Sequence, residues 1–464
     1  MKTIPDELAE RILKKAVSRG GDYADIFVEH KDQVSLQLED DKIEKVISGI
    51  DAGIGVRVIF RDRTAYAYSN EFSESALLHL ADTVSRAAEE KTDVTINLKK
   101  AGPRVDFKIK LDPRAVGMER KIRLVEDANR TARKVSGKIR QVSVNYRDFV
   151  QNIYIATSDG VIAEDERIHT VAIVHVVAAD GDVLQTGYEP VGGLIGFELF
   201  EEHSFEETAR NVARKAVAML GAQKISGGRM PVVISAAAGG TMIHEAVGHG
   251  LEADLVQQGL SVFSNRKGQQ IASELVTVID DSTLPNRRGS FRFDDEGWPS
   301  QRTVLVEKGI LKGFMYDRLT AMKDKCASTG NGRRESYESR PIPRMTNTFI
   351  APGVSDPLEI IRSVDRGFFV RKMGGGQVNT VTGEFVFEVS EGYIVEKGQI
   401  SEPVRGATLI GNGPEVLRSI DMVGNDLGFS IGTCGKDAQG VPVSDAMPTV
   451  RIPDIVVGGK VQGG

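Results

Sequence analysis

Apolar residues recur with two different periods along the first half of the chain. Leu8, Ile12 and Ala16 share a helical face and predict a helix over residues 5–19, whereas Val34, Leu36 and Leu38 alternate with other residues as in a strand. Further helices are predicted near 75–90, 118–135 and 205–220, and further strands near 53–60, 64–69, 141–157 and 161–178. Because helices and strands do not alternate regularly, the pattern favours an α+β fold over a parallel α/β sheet.

A change of composition at residues 223–230 divides the chain. Lys224, Ser226, Gly227 and Gly228 in this stretch are typical of a linker. We therefore expect an α+β N-terminal domain over residues 1–222 and a second domain over residues 230–464. A chain of 464 residues is long enough for two or three domains.

The second domain has a different pattern. After a short strand at 231–235, residues 236–257 carry Ala, Met, Ile, Val and Leu on all sides, which predicts a buried helix. Beyond residue 261, short apolar stretches between turn residues predict hairpins, at 304–307 with 311–315 and at 384–389 with 393–396. The prediction is a mostly antiparallel β domain wrapped around a buried helix.

Composition restricts the partners and the location. The hydrophobic fraction of 41% is ordinary for a globular protein, and the net charge of −6 gives no reason to expect a nucleic acid as partner. No apolar run approaches the roughly 20 residues that span a bilayer, and the N-terminus lacks the apolar core of a signal peptide. Cys326 and Cys434 do not make a disulfide framework. We therefore expect a cytoplasmic protein without a membrane partner.

Two histidines flank a glutamate in the stretch His-Glu-Ala-Val-Gly-His, at residues 244–249. The chain has 7 histidines, so their close spacing around Glu245 points to chemistry. Hydrolysis of a peptide bond needs an activated water, which a metal ion and a neighbouring general base can provide. His244 and His249 are therefore candidate metal ligands and Glu245 a candidate base, although the zinc-peptidase signature His-Glu-x-x-His is one residue shorter.

The extra residue has a geometric consequence. In a regular α-helix, residues five apart lie about 140° apart around the axis, too far for His244 and His249 to reach one metal ion comfortably. A π-bulge can absorb the extra residue, and Gly248 tolerates unusual backbone angles. We therefore predict a bulged or locally unwound helix around residues 246–249.

The residues alone leave the third ligand open. Glu252 and Asp254 follow the motif and offer carboxylates, which could instead orient the histidines. Cys434 lies between small residues, and two imidazoles with one thiolate are a plausible zinc ligand set. Nearby Lys436 would help to keep the thiol deprotonated. A small buried core residue is the competing interpretation of Cys434.

Other stretches carry weaker signals. Residues 374–376 are three glycines, which suit a flexible turn better than a strand that receives a substrate backbone. The arginines of 330–334 suit either a solvated loop or the binding of a carboxylate, and 294–296 are typical of a charged turn, with calcium binding a remote alternative. Cys326 is interpreted as structural. No role is assigned to the remaining histidines, namely His30, His79, His169, His175 and His203.

Several motifs together make the chain resemble the TldD/PmbA family of metallopeptidases, in its catalytic TldD-like branch. The resemblance covers the second domain and, more loosely, the first, and its motifs lie at residues 244–254, 329–337, 343–348, 374–378, 422–427 and 434–436. It implies that His244, His249 and Cys434 bind zinc and that Glu245 is the catalytic base. The family's PmbA-like branch lacks the metal-binding motif and serves as partner to the TldD-like one.

The predicted function follows from the motif and the resemblance together. We expect a zinc-dependent metallopeptidase, with Glu245 as general base and a metal-activated water, that acts on unfolded or extended peptides and short unstable proteins. A PmbA/TldE-like subunit or a second copy of the chain is the expected dimer partner. The alternatives are a metal-dependent amidase that acts on small molecules and a non-catalytic peptide-binding subunit.

Overall fold

The structure is a computed structural model that describes residues 4–88 and 94–459. No helix in these two ranges is long and apolar enough to cross a membrane. The described chain combines helices with mostly antiparallel sheets, so the predicted α+β fold is confirmed.

The described N-terminal part is built on a seven-stranded sheet in the order β3-β2-β1-β5-β6-β4, with β7 paired to β6. Apart from the parallel β4–β6 pair, neighbouring strands are antiparallel. Its strands are β1 Tyr23–Glu39, β2 Lys42–Phe60, β3 Arg63–Ser69, β4 Lys99–Lys100, β5 Ile139–Thr157, β6 Val161–Asp180 and β7 Val183–Gly193. Its helices are α1 Asp6–Val17, α2 Glu74–Ser85, α3 Met118–Arg133, α4 Leu199–Glu202 and α5 Phe205–Leu220.

The two faces of this sheet have different neighbours. Alternate residues of a strand point to opposite faces, and Ile26 of β1 packs with α1 and α2, whereas Leu36 packs with α3 and α5. Phe27 points to the other face and packs against Phe293 and Tyr337 of the C-terminal part. The N-terminal sheet is thus covered by helices on one side and by the C-terminal part on the other.

The C-terminal part contains a six-stranded sheet in the order β12-β11-β10-β15-β22-β21, a short β13–β14 pair and an eight-stranded sheet, counted over the described residues. The strands are β8 Gln223–Lys224, β9 Gly228–Ile234, β10 Val278–Asp281, β11 Arg302–Glu307, β12 Ile310–Leu311, β13 Gly332–Arg333, β14 Ile342–Pro343, β15 Asn347–Ile350, β16 Arg366–Val378, β17 Glu384–Glu396, β18 Gln399–Arg405, β19 Ala407–Asn412, β20 Met422–Val423, β21 Gly428–Lys436, β22 Gln439–Met447 and β23 Val450–Gly458. The helices are α6 Thr241–Ile243, α7 Ala253–Gln257, α8 Arg318–Asp324, α9 Pro357–Arg362 and α10 Gly413–Ser419.

Five strands of the eight-stranded sheet form a closed ring. β16 pairs with both β9 and β17, and the pairs β9–β23, β23–β19 and β19–β17 complete a ring. Ile234 of β9, Phe387 of β17 and Val457 of β23 belong to one fully buried apolar cluster, which also contains Val247 and Cys434. The candidate metal ligands are therefore held at the main core of the C-terminal part.

Three local predictions for this part are wrong. Residues 236–257 do not form one helix but a series of short helical turns, because Gly239 and Gly240 interrupt the chain before α6 and Glu252 has an extended backbone. The stretch 223–230 carries strands β8 and the start of β9 rather than a free linker. Residues 384–396 form one continuous strand with no turn, because both edges of β17 are paired.

The predicted N-terminal helices and strands are present, but β2 begins at Lys42 rather than at residue 53, and β7 was not predicted. The helix predicted over 75–90 ends at Ser85, and the last two predicted residues lie outside the described ranges. The hairpin predicted at 304–315 is present as β11 and β12.

Candidate metal centre

The motif segment contains a π-helical turn over His244–Gly248. The backbone N–H of His249 donates to the carbonyl of His244, five residues earlier, which is the bond that defines a π-turn. The predicted bulge is thereby confirmed. The expectation that Gly248 adopts unusual backbone angles at the bulge is wrong, because its angles are those of an ordinary helix (φ −55°, ψ −55°). Glycine is required there by packing, since a Cβ on Gly248 would overlap Sδ of buried Met345.

The π-turn places both imidazoles beside Cys434, which lies on β21. One ligand atom from each of His244, His249 and Cys434 lies within 4.8 Å of the others. The Cys434 sulfur is 3.5 Å from Nε2 of His249, and the two imidazole rings are 5.1 Å apart and nearly perpendicular. Two imidazoles and one thiolate suit zinc, so the cluster can hold such an ion.

A carboxylate lies near Nδ1 of each of the two histidines. Oε2 of Glu252, a completely buried residue, is 3.0 Å from Nδ1 of His249. Oδ2 of Asp445, on β22, is 3.6 Å from Nδ1 of His244, an atom that has no hydrogen-bond partner within the described ranges. Burial opposes a charge on either ring, but Glu252 raises the pKa of His249 well above its usual value, and Cys434 raises that of His244.

The surroundings of Cys434 favour ionisation of its thiol. Burial alone raises its pKa, but the contacts with His244 and His249 outweigh this effect and lower the pKa to about 5. A thiolate is the form of cysteine that binds metals. The prediction that Lys436 helps to keep the Cys434 thiol deprotonated is wrong. The Lys436 ammonium pairs with Glu252 (3.1 Å) and donates to Asp254 (2.7 Å) instead.

Glu252 thus contacts His249 at Nδ1, and Asp254 accepts from Lys436, so neither carboxylate is part of the cluster of ligand atoms. Although burial opposes ionisation of Glu252, the charges of His249 and Lys436 lower its pKa to about 2, so that it is ionised at neutral pH. An ionised carboxylate that accepts from Nδ1 holds the His249 ring with Nε2 towards Cys434. Of the three candidates for the third position, Cys434 is the one whose ligand atom lies close to ligand atoms of both histidines.

Glu245 lies on the π-turn next to His244 and is partly exposed to a cavity of about 840 Å³. The same cavity is lined by His244, by Gly374 and Gly375 of β16, and by His175 from the N-terminal sheet. The three glycines 374–376 belong to a strand, so the expected turn is wrong there. The carboxylate beside the candidate ligands therefore lies at the wall of a cleft.

The remaining stretches singled out in the sequence lie away from this cleft. Residues 294–296 lie in a turn, as predicted, but their carboxylates are buried, and Asp295 binds Arg167 (2.8 Å). Arg333 and Arg334 are buried too, so the solvated-loop interpretation of 330–334 is wrong. Cys326 is exposed just after α8.

Two residues at the centre were missed by the sequence analysis. Asp445 approaches His244, and Arg344 donates to the carbonyl of Cys434. Asp445 lies on β22, and the backbone N–H of Gly240 donates to its Oδ1 (3.1 Å), a contact between segments 205 residues apart that depends on the tertiary fold. Arg344 stands in the stretch 343–348 that carries the family resemblance, a position that could have marked it.

The site defines a class of protein with a histidine–cysteine cluster able to hold a metal ion and a carboxylate at the adjoining cleft. Models of three domains of the PmbA/TldA metallopeptidases match this chain: domain 1 at residues 24–89, the central domain at 111–220 and the C-terminal domain at 227–459. A metalloprotease TldD homologue of Haemophilus influenzae is 38% identical over 451 residues, covering 95% of this chain and 94% of that protein. The chain belongs to the TldD/PmbA family of metallopeptidases.

Proteins of lower sequence identity also match the chain over nearly its whole length. A protein named zinc metalloprotease TldD homologue, from Saccharolobus solfataricus, is 28% identical over 457 residues, covering 97% of this chain and all of that protein. The solved structure of TldE from Thermococcus kodakarensis has a TM-score of 0.76 at 17% identity and covers 97% of this chain and 100% of that chain. A solved structure from Thermotoga maritima has a TM-score of 0.81 at 22% identity and covers 98% of this chain and 100% of that chain. At these identities, the two structural likenesses show the fold alone.

Proposed function

We propose that this protein is a zinc-dependent metallopeptidase that hydrolyses unfolded or extended peptides and short unstable proteins. The observation that carries the proposal is the approach of the ligand atoms of His244, His249 and Cys434 to within 4.8 Å, next to Glu245 at the wall of a cleft. The family membership and the metalloprotease names of its relatives support the same function.

In this proposal, His244, His249 and Cys434 hold the ion and Glu245 moves a proton. Zinc bound by three protein ligands supplies a Lewis acid that polarises a carbonyl and makes water more acidic. Glu245, with its carboxylate open to the cleft, takes a proton from the attacking water and delivers it to the leaving amine. Glu252 keeps the His249 ring in its orientation during this cycle.

The shape of the cleft supports an extended substrate. A cavity of about 840 Å³ holds only a short stretch of peptide. Gly375 on its wall would meet no described atom within 4 Å if it carried a Cβ, so the backbone of β16 is open to close approach at that point. A folded protein could not bring its backbone there without unfolding locally.

The test combines metal analysis with a substitution. Glu245→Gln should retain zinc at the wild-type stoichiometry and lose cleavage of an unfolded protein, because the amide cannot accept the proton. Glu396→Gln, at an exposed position on β17, is the control and should retain both properties. Wild-type activity in Glu245→Gln would remove Glu245 from the mechanism, and a wild-type protein without metal would remove the zinc site.

Activity and binding assays on the same wild-type protein distinguish the alternative functions. Turnover of small amides without turnover of peptides would indicate a metal-dependent amidase. Peptide binding without cleavage of any substrate would indicate a non-catalytic subunit. The presence of Glu245 favours the peptidase, since binding alone needs no general base beside the ligands.

Partner, location and domain division are further parts of the proposal. We infer that the chain works as a dimer with a PmbA/TldE-like subunit or with itself, which light scattering with and without such a subunit tests. A reducing, cytoplasmic location suits a protein whose two cysteines are both free. We also propose that residues 1–222 and 230–464 are separate domains, which calorimetry of the whole chain tests through two resolvable unfolding transitions.

A further inference from the structure

A small second cavity lies between the N-terminal sheet and the C-terminal part. Its volume is about 110 Å³, enough for a small anion or a few water molecules. Cationic side chains from both parts line it, namely Lys31 and Arg147 from the N-terminal sheet and Arg288 and Arg333 from the C-terminal part, together with His169. We call it the basic cavity.

The acidic groups at the basic cavity are already engaged. Asp295 receives Arg167 on one oxygen (2.8 Å) and the backbone N–H of Arg334 on the other (2.8 Å). Glu335 is exposed and accepts from the backbone N–H of Gly440 (2.9 Å). Asp295 therefore neutralises Arg167 (2.8 Å), and Arg334, which also lines the cavity, pairs with Asp25 (3.3 Å).

Four cations have no ion pair with a carboxylate within 4 Å in residues 4–88 and 94–459. Arg333 is buried and donates to the carbonyls of Met345 (2.6 Å) and Pro442 (2.7 Å). Arg288 donates to the carbonyl of Gly432 (3.1 Å) and to Thr433 Oγ1 (3.4 Å). Its Nη1 is buried and has no hydrogen-bond partner within the same ranges. The other two, Lys31 and Arg147, lie near Phe149, with the Lys31 ammonium 4.7 Å from the ring centre.

His169 adds a second unsatisfied donor or acceptor. Its side chain is 3% exposed, its ring stacks on Phe149 at 4.7 Å, and its Nδ1 has no partner in the described structure. Burial and the neighbouring charges of Arg288, Arg167 and Arg333 lower the pKa of His169 well below its usual value. The ring is therefore neutral, and as the Nδ1–H tautomer it can donate to an anion.

Such an arrangement is costly without a counter-ion. A guanidinium cannot lose its proton at any physiological pH, and a buried cation without an anion is strongly unfavourable. Arginine presents a planar pair of donors that fits the oxygens of phosphate or carboxylate groups. The excess of cations, the free donor of Arg288 and the size of the cavity all point to one small oxyanion.

We propose that the basic cavity is a binding site for a small oxyanion, held by Arg288 with Lys31, Arg147 and His169. None of the three candidate metal ligands lines this cavity, so the site is separate from the candidate metal centre. It bridges the two parts of the chain, and Thr433 on its wall directly precedes Cys434. The anion can come from free phosphate or sulfate, or from the C-terminal carboxylate of a peptide, since these groups share the chemistry that the site recognises.

Calorimetric titration with inorganic phosphate tests the site. The wild-type protein should bind one phosphate, before and after removal of metal by a chelator, and Arg288→Gln should weaken binding by about tenfold or more, as expected for the loss of a charge-assisted pair. Arg287→Gln is the matched control, because that guanidinium stacks on Phe429 at 3.8 Å outside the cavity. Arg147→Gln, at an exposed position, should weaken binding without affecting the core.

Two results would overturn the proposal. One is the absence of phosphate, sulfate and carboxylate binding in a wild-type protein with a normal thermal transition. The other is equal affinity in wild type, Arg288→Gln and Arg147→Gln. An acetylated tripeptide with a free C-terminus, compared with its C-terminal amide, distinguishes the two sources. Binding of the free acid alone assigns the site to peptide ends, and binding of phosphate alone assigns it to free anions.

Discussion

Glu252 and His249 form a buried pair in which Oε2 lies 3.0 Å from Nδ1, on the side of the ring opposite to Cys434. The contact fixes the ring orientation and leaves Nε2 free to face the cysteine. Lys436 pairs with the same carboxylate at 3.1 Å and keeps it in place. A carboxylate behind a ligating histidine is a common feature of metal sites, where it orients the ring and makes it a better ligand.

Glu252→Gln should weaken zinc binding by about 10–100-fold, the usual effect of removing an outer carboxylate. The amide is similar in size but lacks the charge that orients and polarises His249. Competition with a chromogenic chelator measures the affinity. Glu307→Gln, in an exposed ion pair with Lys312, is the control and should bind zinc normally. An unchanged affinity in Glu252→Gln would show that the contact has no role in metal binding.

Gly248→Ala should destabilise the protein by roughly 1–3 kcal/mol, the typical cost of overpacking a core. The new Cβ would overlap Sδ of Met345, which is completely buried and has little room to move. Thermal unfolding measures the effect. Gly313→Ala is the matched control, because a Cβ there meets no described atom within 4 Å. Equal transition temperatures for the two variants would contradict the packing explanation of Gly248.

The sequence predicted structure best where one element buries one face. The 3.6-residue spacing of Leu8, Ile12 and Ala16 identified α1, because its apolar face packs on the sheet. The same reasoning failed at residues 236–257, where every side is apolar because the segment is surrounded by core. Apolar composition there shows burial but carries no period, so it could not reveal the breaks at Gly239, Gly240 and Glu252.

The candidate site likewise contains residues that local sequence patterns predicted and residues that they could not predict. His244, Glu245 and His249 are close in sequence, and helix geometry alone predicted the π-turn between them. Cys434 is 185 residues from His249, and only the resemblance to the family singled it out before the fold placed it there. Asp445 approaches His244 because β22 packs against the segment that begins at Gly240, a contact across 205 residues that no local pattern encodes.

Cys434→Ser should lower zinc affinity by more than about tenfold, since even the outer partners of metal ligands change affinity by that factor. A hydroxyl is similar in size to the thiol but does not ionise near neutral pH. Cys326→Ser is the control, because that cysteine is exposed and far along the chain from the candidate ligands. Metal content after dialysis, with both variants treated identically, measures the difference. Comparable zinc in Cys434→Ser and Cys326→Ser would leave the third ligand unidentified.

Glu296 connects the two parts of the chain through a buried ion pair. Its Oε1 lies 2.7 Å from Nη2 of Arg57 on β2, and its Oε2 accepts from the backbone N–H of Arg318 (2.6 Å). Burial raises the pKa of Glu296, and although Arg57 opposes this effect, the pKa reaches about 7. In the unfolded chain the same group titrates near 4.5.

This difference predicts how stability changes with pH. Between pH 4.5 and 7 the folded protein holds a proton on Glu296 that the unfolded chain has released, so the contribution of this group to the unfolding free energy falls as pH rises through that window. Glu296→Gln removes the titration. The transition temperature of the wild type minus that of the variant should therefore be larger at pH 5 than at pH 8, as measured by calorimetry in the same buffers. Glu396→Gln, at an exposed position, reports the effect of removing a surface carboxylate. A difference that is constant or that grows with pH would show that Glu296 is ionised in the folded protein throughout this range.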